Sequence, residues 1–262
     1  MNDFIGESSL KYKSDAILER RRRILRETRD LIAETGYHAF NVRDLCARAE
    51  IAQKTLYNAF GSKENVVASA IQQYVIEFYE RTPRQFSPES LDGVLEGILK
   101  MFHDNMRVRP YTQAIVAIFN SIGPDNLIRS AIRNFCTYYH QPFLNEIERL
   151  NCLAVGTSAE QLNHILVTTA FATSADWCQG EIPDSEFLDR GCEMQLMVIS
   201  GSTRGKINIQ ARRWLEDLRE GRASWVSFRK LAVTDSKPAK KAPERSVTSL
   251  QPHDVSRLVT AK

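Results

Sequence analysis

The 262 residues predict an all-α protein with a small three-helix N-terminal unit and a larger helical bundle behind it. Three observations carry that expectation. Apolar residues recur at spacings of three and four almost throughout, the period of a helix with one buried face. No stretch sustains the period-two alternation of a half-buried strand. Caps and breakers (Ser, Asn, Gly, Pro) punctuate the chain where the periodic stretches begin and end.

Taken in order, the first helix is expected from Asp15 to Thr35, with Ile17, Ile24, Leu25, Thr28, Leu31 and Ile32 as its stripe and Gly36 as its stop. Asn41 caps a short helix from Val42 to Arg48, with Asp44 three residues on as an acidic variant of the capping box. The third helix lies in IAQKTLYNAF and stops at Gly61. Ser62 opens a fourth that runs to about Tyr79. RTPRQFSPES then breaks the pattern. Leu91 to Phe102 and Tyr111 to Ile122 carry the next two stripes, the second ended by Gly123-Pro124. Asn126–Leu150 contains Pro142 and is expected to kink or split there. Ser158 and Gln161 form a capping box for a helix that reaches about Cys178 and stops at Gly180. A further helix spans about Asp184 to Ile199. Ala211, Trp214, Leu215 and Leu218, then Trp225, Phe228 and Leu231, make a last amphipathic piece.

These elements divide the chain into an arm (1–14), a helix-turn-helix domain with its linking helix (15–80), a ligand-binding and dimerisation domain (81–202), an additional basic amphipathic segment (203–232) and a Lys/Pro/Ala/Ser tail (233–262). The arm is expected to be flexible and the tail disordered.

Composition bounds the function. Hydrophobic residues make 43% and charged residues 26% of the chain, ordinary for a globular protein. No leader and no apolar run of the roughly 18 residues of a spanning helix is visible, so the expected location is the cytoplasm, with no membrane partner. The five cysteines are scattered with no C-x-x-C pair, and the five histidines lack ligand spacing. No metal or other cofactor is expected. No nucleophile elbow, phosphate loop or carboxylate pair at catalytic spacing appears either, which argues against an enzyme. Charge is segregated: residues 1–65 carry 12 basic and 10 acidic groups, 66–202 carry 9 and 16, and 203–262 carry 14 and 6. Basic ends around an acidic middle fit a polyanionic partner.

The third helix shows what that partner is. Two turns of helix cannot hold themselves in water, so this one must be clamped by its neighbours. Ile51, Leu56 and Phe60 are spaced to face back onto them, which leaves Gln53, Lys54, Tyr57 and Asn58 on the open face. All four are donors and none is acidic. Such a face suits the major groove: Lys reaches guanine acceptors, Gln and Asn pair with adenine, and a Tyr hydroxyl reaches a phosphate. Lys63, beside the next helix N-terminus, adds a cation where a phosphate is favoured. Two short helices around a tight turn, followed by this display, make a helix-turn-helix.

The stretch NVRDLCARAEIAQKTLYNAFGSKENVV, preceded by ILRETRDLIAETGYHAF, resembles the N-terminal domain of the TetR family of bacterial transcriptional regulators. Gly36-Tyr37, Val42, Arg43, Asp44, Leu45, Ala49, Ile51, Thr55-Leu56-Tyr57, Phe60 and Ser62-Lys63-Glu64 fall in register with the family pattern over some 45 residues. The resemblance implies a homodimer on a pseudo-palindromic double-stranded operator, acting as a repressor and released by a small-molecule effector in the C-terminal domain. It places phosphate contacts at Tyr57 and Lys63, with Arg43 or Thr55 beside them, and base reading at Gln53, Lys54 and Asn58. Three positions depart from the pattern. Glu50 stands where the turn usually has Gly, Ala52 where a capping Ser is usual, and Ala59 where a second aromatic or His is common. They keep one alternative open, a ligand- or partner-binding protein that retains the fold with weak or lost sequence-specific DNA binding. A helical-bundle enzyme is the other rival.

In the arm, Lys11 and Lys13 are placed to follow DNA, whereas Arg20 to Arg23 span a full helical turn and cannot all do so. Ala170, Ala172 and Ala175, and the broadly apolar EFLDRGCEMQLMVI, fit two helices that pair with those of a second copy. Candidate pocket residues are the aromatic and polar groups of the middle helices: Phe102, His103, Phe119, Tyr138, Tyr139 and Trp177. The segment 203–232 is expected to pack on the acidic domain and extend the dimer contact, or else to add non-specific DNA affinity.

Overall fold

The chain, seen as a computed structural model, is described over residues 4–121 and 126–234; the side chains before residue 15 and those of Tyr79, Asn126 and Tyr138 lie outside the description. Eleven helices account for these residues: α1 (Phe4–Ala39), α2 (Val42–Arg48), α3 (Gln53–Phe60), α4 (Lys63–Arg81), α5 (Leu91–Arg107), α6 (Arg109–Asn120), α7 (Asn126–Arg149), α8 (Ala159–Gln179), α9 (Asp184–Ser202), α10 (Gly205–Arg219) and α11 (Ala223–Val233). Among the described residues there is no strand, only an isolated bridge between Leu153 and Thr203.

The caps behave as their chemistry requires. Asn41 accepts from the Asp44 amide, Ser90 from that of Gly93, and Ser158 and Gln161 form a reciprocal box. Gly36 breaks α1 with a positive φ of 74°, so its regular part ends where Thr35 was expected to end it.

Backbone helix begins at Phe4, so α1 starts ahead of the expected Asp15 and takes in residues 4–14, which no proline interrupts. Pro142 does not split α7, which runs unbroken through it. Proline removes one amide bond, but the residues just after it, Phe143, Leu144 and Ile147, are buried to 2% exposure or less, and that packing holds the helix together. Gly123-Pro124 and the tail from 235 lie outside the described residues.

Two hydrophobic clusters fill the interior. One joins α1–α4 through Ile24, Ile32, Leu45, Leu56 and Val67, and continues onto Tyr111, Ile118 and Phe119 of α6, Ile128 and Ile132 of α7 and Val167 of α8. The core therefore runs on past the expected boundary at residue 80. The other cluster joins α5, the second half of α7, α8 and α9 to Ile207 and Ala211 of α10 and Trp225, Phe228 and Ala232 of α11. Five residues of the segment 203–232 are thus buried in this core. Close approach matters at Gly191 of α9: a Cβ there would sit 2.2 Å from the Phe102 ring.

Candidate nucleic-acid interface

α2 ends in a Schellman motif. Ile51 N donates to Cys46 O (3.0 Å) and Glu50 N to Ala47 O (3.4 Å), with Glu50 at φ 51°. A glycine adopts that conformation freely, whereas a glutamate strains into it. The turn then delivers α3, whose N-cap Ala52 offers no side-chain acceptor. Leu56 and Phe60 are buried and Ile51 partly so. On the other side Gln53, Lys54, Tyr57 and Asn58 are exposed, and no side-chain bond ties them to other described residues; Thr55 is half-buried between the faces. Arg43 is exposed on α2.

Lys63 follows the Ser62 cap, whose hydroxyl accepts from Asn65 N at 3.1 Å. Its ammonium lies 5.0 and 5.4 Å from the ring centroids of Tyr37 and Phe40, so it rests on aromatic faces beside the helix N-terminus. Arg48 is spent on a bidentate pair with Glu34. Arg43 of α2 and the four donors of α3 are thus exposed and unspent on ion pairs among the described residues, and Glu50 in the turn between the two helices is exposed as well.

This geometry finds its match outside the chain. Residues 24–70 match the family model for bacterial regulatory proteins of the tetR family. The N-terminal domain is a TetR-family helix-turn-helix domain. Over 67 residues the chain is 42% identical to the transcriptional repressor KstR of Rhodococcus jostii, covering 26% of this chain and 31% of KstR. Over 103 residues it is 29% identical to the transcriptional regulator UidR of Escherichia coli K12, covering 37% of this chain and 50% of UidR. The chain thus matches about a third and a half of the length of these two relatives, which are regulators of transcription and not enzymes. Beyond the TetR-family domain, TylP, a TetR regulator from Streptomyces fradiae, shares the fold: TM-score 0.53 and 15% identity over 79% of this chain and 99% of TylP.

The pocket candidates do not converge. Trp177 is fully buried, stacked on Phe187 at 4.5 Å, donating to Asp184 and covered by Arg109. Phe102 packs on the same Phe187 at 5.0 Å. Phe119 belongs to the other cluster, stacked on Phe171 at 3.8 Å. Tyr139 lies on Gly97 with Arg84 over its ring, and burial pushes its phenol up to about 12. The Tyr138 side chain is outside the description. His103 lines a polar cleft of about 110 Å³ with Arg81, Lys100, Asp104, Arg107 and Thr234. Aromatic residues on middle helices are core before they are anything else, so composition had no means to separate lining from filling.

What sequence reasoning missed is how α4, which leads out of the TetR-family domain, is fastened. Asp104 of α5 is buried and accepts from Tyr74 and Arg81, both of α4. Glu96 is fully buried and accepts from the amides of Gln85 (2.9 Å) and Phe86 (3.1 Å) and from Lys100 Nζ (2.6 Å). Gln85 in turn donates to Leu231 O of α11. Two acidic residues inside an amphipathic apolar helix were the signal that could have found this.

The basic C-terminal helices spend several of their arginines on acidic neighbours. Arg219 pairs with Glu193 and Arg229 with Asp189, both of α9, while Arg222 bonds Asp217 and Glu220. Among the described residues no helix is long and apolar enough to cross a membrane.

Proposed function

We propose that the protein is a transcriptional repressor that binds a pseudo-palindromic DNA operator as a homodimer and is released by a small-molecule effector bound in its C-terminal domain. The observation that carries this reading is the open face of α3, four donor side chains with no partner of their own among the described residues, held on a buried Leu56 and Phe60. Gln53, Lys54 and Asn58 read base edges, and Tyr57, Lys63, Arg43 and Thr55 hold the backbone. The naming of KstR as a repressor supports the sign of regulation.

Dimerisation is supported by the outer faces of α8 and α9. Ile165, Thr168 and Ala172 on one, and Met194, Met197 and Gly201 on the other, are exposed at helical spacing. Apolar and small groups in such a seam suit a second copy. Effector control is supported by the fastening of α4 to α5, since a ligand that disturbs the Asp104 and Glu96 contacts changes how the DNA-binding helices are carried.

The test is selection of bound fragments from the source genome at about 150 mM salt, where non-specific phosphate binding is weak. Recovery of one inverted repeat, with Lys54→Ala and Asn58→Ala shifting the recovered sequence and Tyr57→Phe weakening binding to all sequences alike, supports the reading. Fragments without a shared motif sink it and favour a protein that keeps the fold without sequence recognition.

A further inference from the structure

The run Arg20–Arg23 is not explained by the open face of α3, because four successive residues circle α1. The structure separates them. Arg22 is exposed, with only a loose 3.7 Å contact to Glu19. Arg21 reaches across to α3 instead. Its guanidinium carbon stands 4.4 Å from the centroid of the Phe60 ring, and Nη1 donates a long bond of 3.4 Å to the Ala59 carbonyl.

That place has a physical meaning. α3 has eight residues and no N-terminal side-chain cap, so its own bonds do not fix its direction. It is pinned by Leu56 and Phe60 underneath and needs something at its far end. The last carbonyls of a helix lack intrahelical donors and carry the negative pole of its dipole, where a cation that donates is the suited partner. The same guanidinium covers the ring of Phe60, the anchor of that end.

We propose that Arg21 is a positioning residue for the recognition helix: it fixes the angle at which α3 presents Gln53, Lys54 and Asn58, and does not itself contact a phosphate. The proposal rests on the DNA-binding reading for its consequence, and its first readout is independent of DNA. In the full-length free protein, Arg21→Met keeps an apolar stem over Phe60 but loses the donor and the charge. Amide exchange over residues 57–61 then rises roughly tenfold, Arg21→Lys falls between, and Arg22→Ala matches wild type. On a selected operator, Arg21→Met lowers affinity roughly tenfold while the salt dependence and the affinity for unrelated DNA stay as in wild type.

Unchanged exchange in Arg21→Met overturns the proposal. So does a salt slope shallower by about 0.9, the mark of one lost phosphate contact. If Arg21→Met melts too low to be measured, Arg21→Lys carries the same two readouts. If wild type selects no sequence while Arg21→Met still loosens residues 57–61, the clasp on α3 stands and the DNA reading falls.

Discussion

Arg81, in the last turn of α4, donates to both oxygens of Asp104 on α5, at 2.9 and 3.1 Å. The Tyr74 hydroxyl, two turns earlier, donates to the same carboxylate. Asp104 is therefore a single acceptor shared by two points along α4. Burial and then this bond push the Tyr74 phenol well above its ordinary value.

Replacing Asp104 by Ala leaves the Tyr74 hydroxyl without its acceptor and is expected to cost roughly 2 kcal/mol of unfolding free energy. Arg81 is half exposed and adds little. Tyr74→Phe, which removes the donor instead, costs about 1 kcal/mol. Urea titrations of the two variants check the order, and equal losses would contradict it.

Glu96 is the deeper node, with Lys100 bonded both to it and to the Pro83 carbonyl. Glu96→Ala strips three donors of their acceptor and leaves the lysine, 7% exposed, without its counter-charge. A loss of roughly 3–5 kcal/mol is expected from breaking one side of a buried pair. Thermal unfolding measures it; a change below 1 kcal/mol would mean that water reaches the loop at 83–86.

The turn before α3 carries two correctable departures. Ala52→Ser supplies the missing cap and is expected to gain about 1 kcal/mol. Glu50→Gly relieves the positive φ and gains up to about 1 kcal/mol. The two changes act on separate groups, so additivity in denaturant midpoints is the expected result. A destabilised Glu50→Gly would show that the Glu50 side chain makes an interaction worth more than its strain.

His140 of α7 is buried, its Nδ1 3.0 Å from Asn163 Oδ1 of α8. Burial holds its pKa below the ordinary 6.5, and the Asn163 bond only partly offsets that. The unfolded chain thus binds the proton more readily. The contribution of His140 to stability is full above about pH 6.5 and is lost as pH falls from there through the lower folded value. Stability measured from pH 7.5 to 5 should decline in wild type, and more shallowly in His140→Gln.

Much of this was legible in the chain itself. The Val42–Arg48 helix, the Ser158–Gln161 box, the Gly36 and Gly180 stops and the division of α3 into anchored and open faces all follow from local rules. A cap, a missing Cβ and the 3.6-residue period act within one or two turns, and a sequence displays such distances directly. Glu50 was readable through the resemblance, since it stands where the family pattern has Gly, and its backbone does take a positive φ.

The rest was decided by contacts between distant residues. Arg21 could have reached a phosphate, but packing turns it onto Ala59 and Phe60, 38 and 39 positions on. Pro142 was expected to kink or split α7, and no split occurs because burial of its neighbours outweighs one lost hydrogen bond. Phe102, Phe119 and Trp177 were candidate pocket walls, and the fold packs each against aromatic neighbours. The letters do not show that outcome, because an aromatic stripe reads the same whether it faces a cavity or a neighbour. The sequence by itself determined which helices form, where they end and which face of α3 stands open, for those are short-range matters of geometry and hydrogen bonding. Only the tertiary structure decided which charges are spent and which remain free, because an ion pair depends on where two distant helices come to lie.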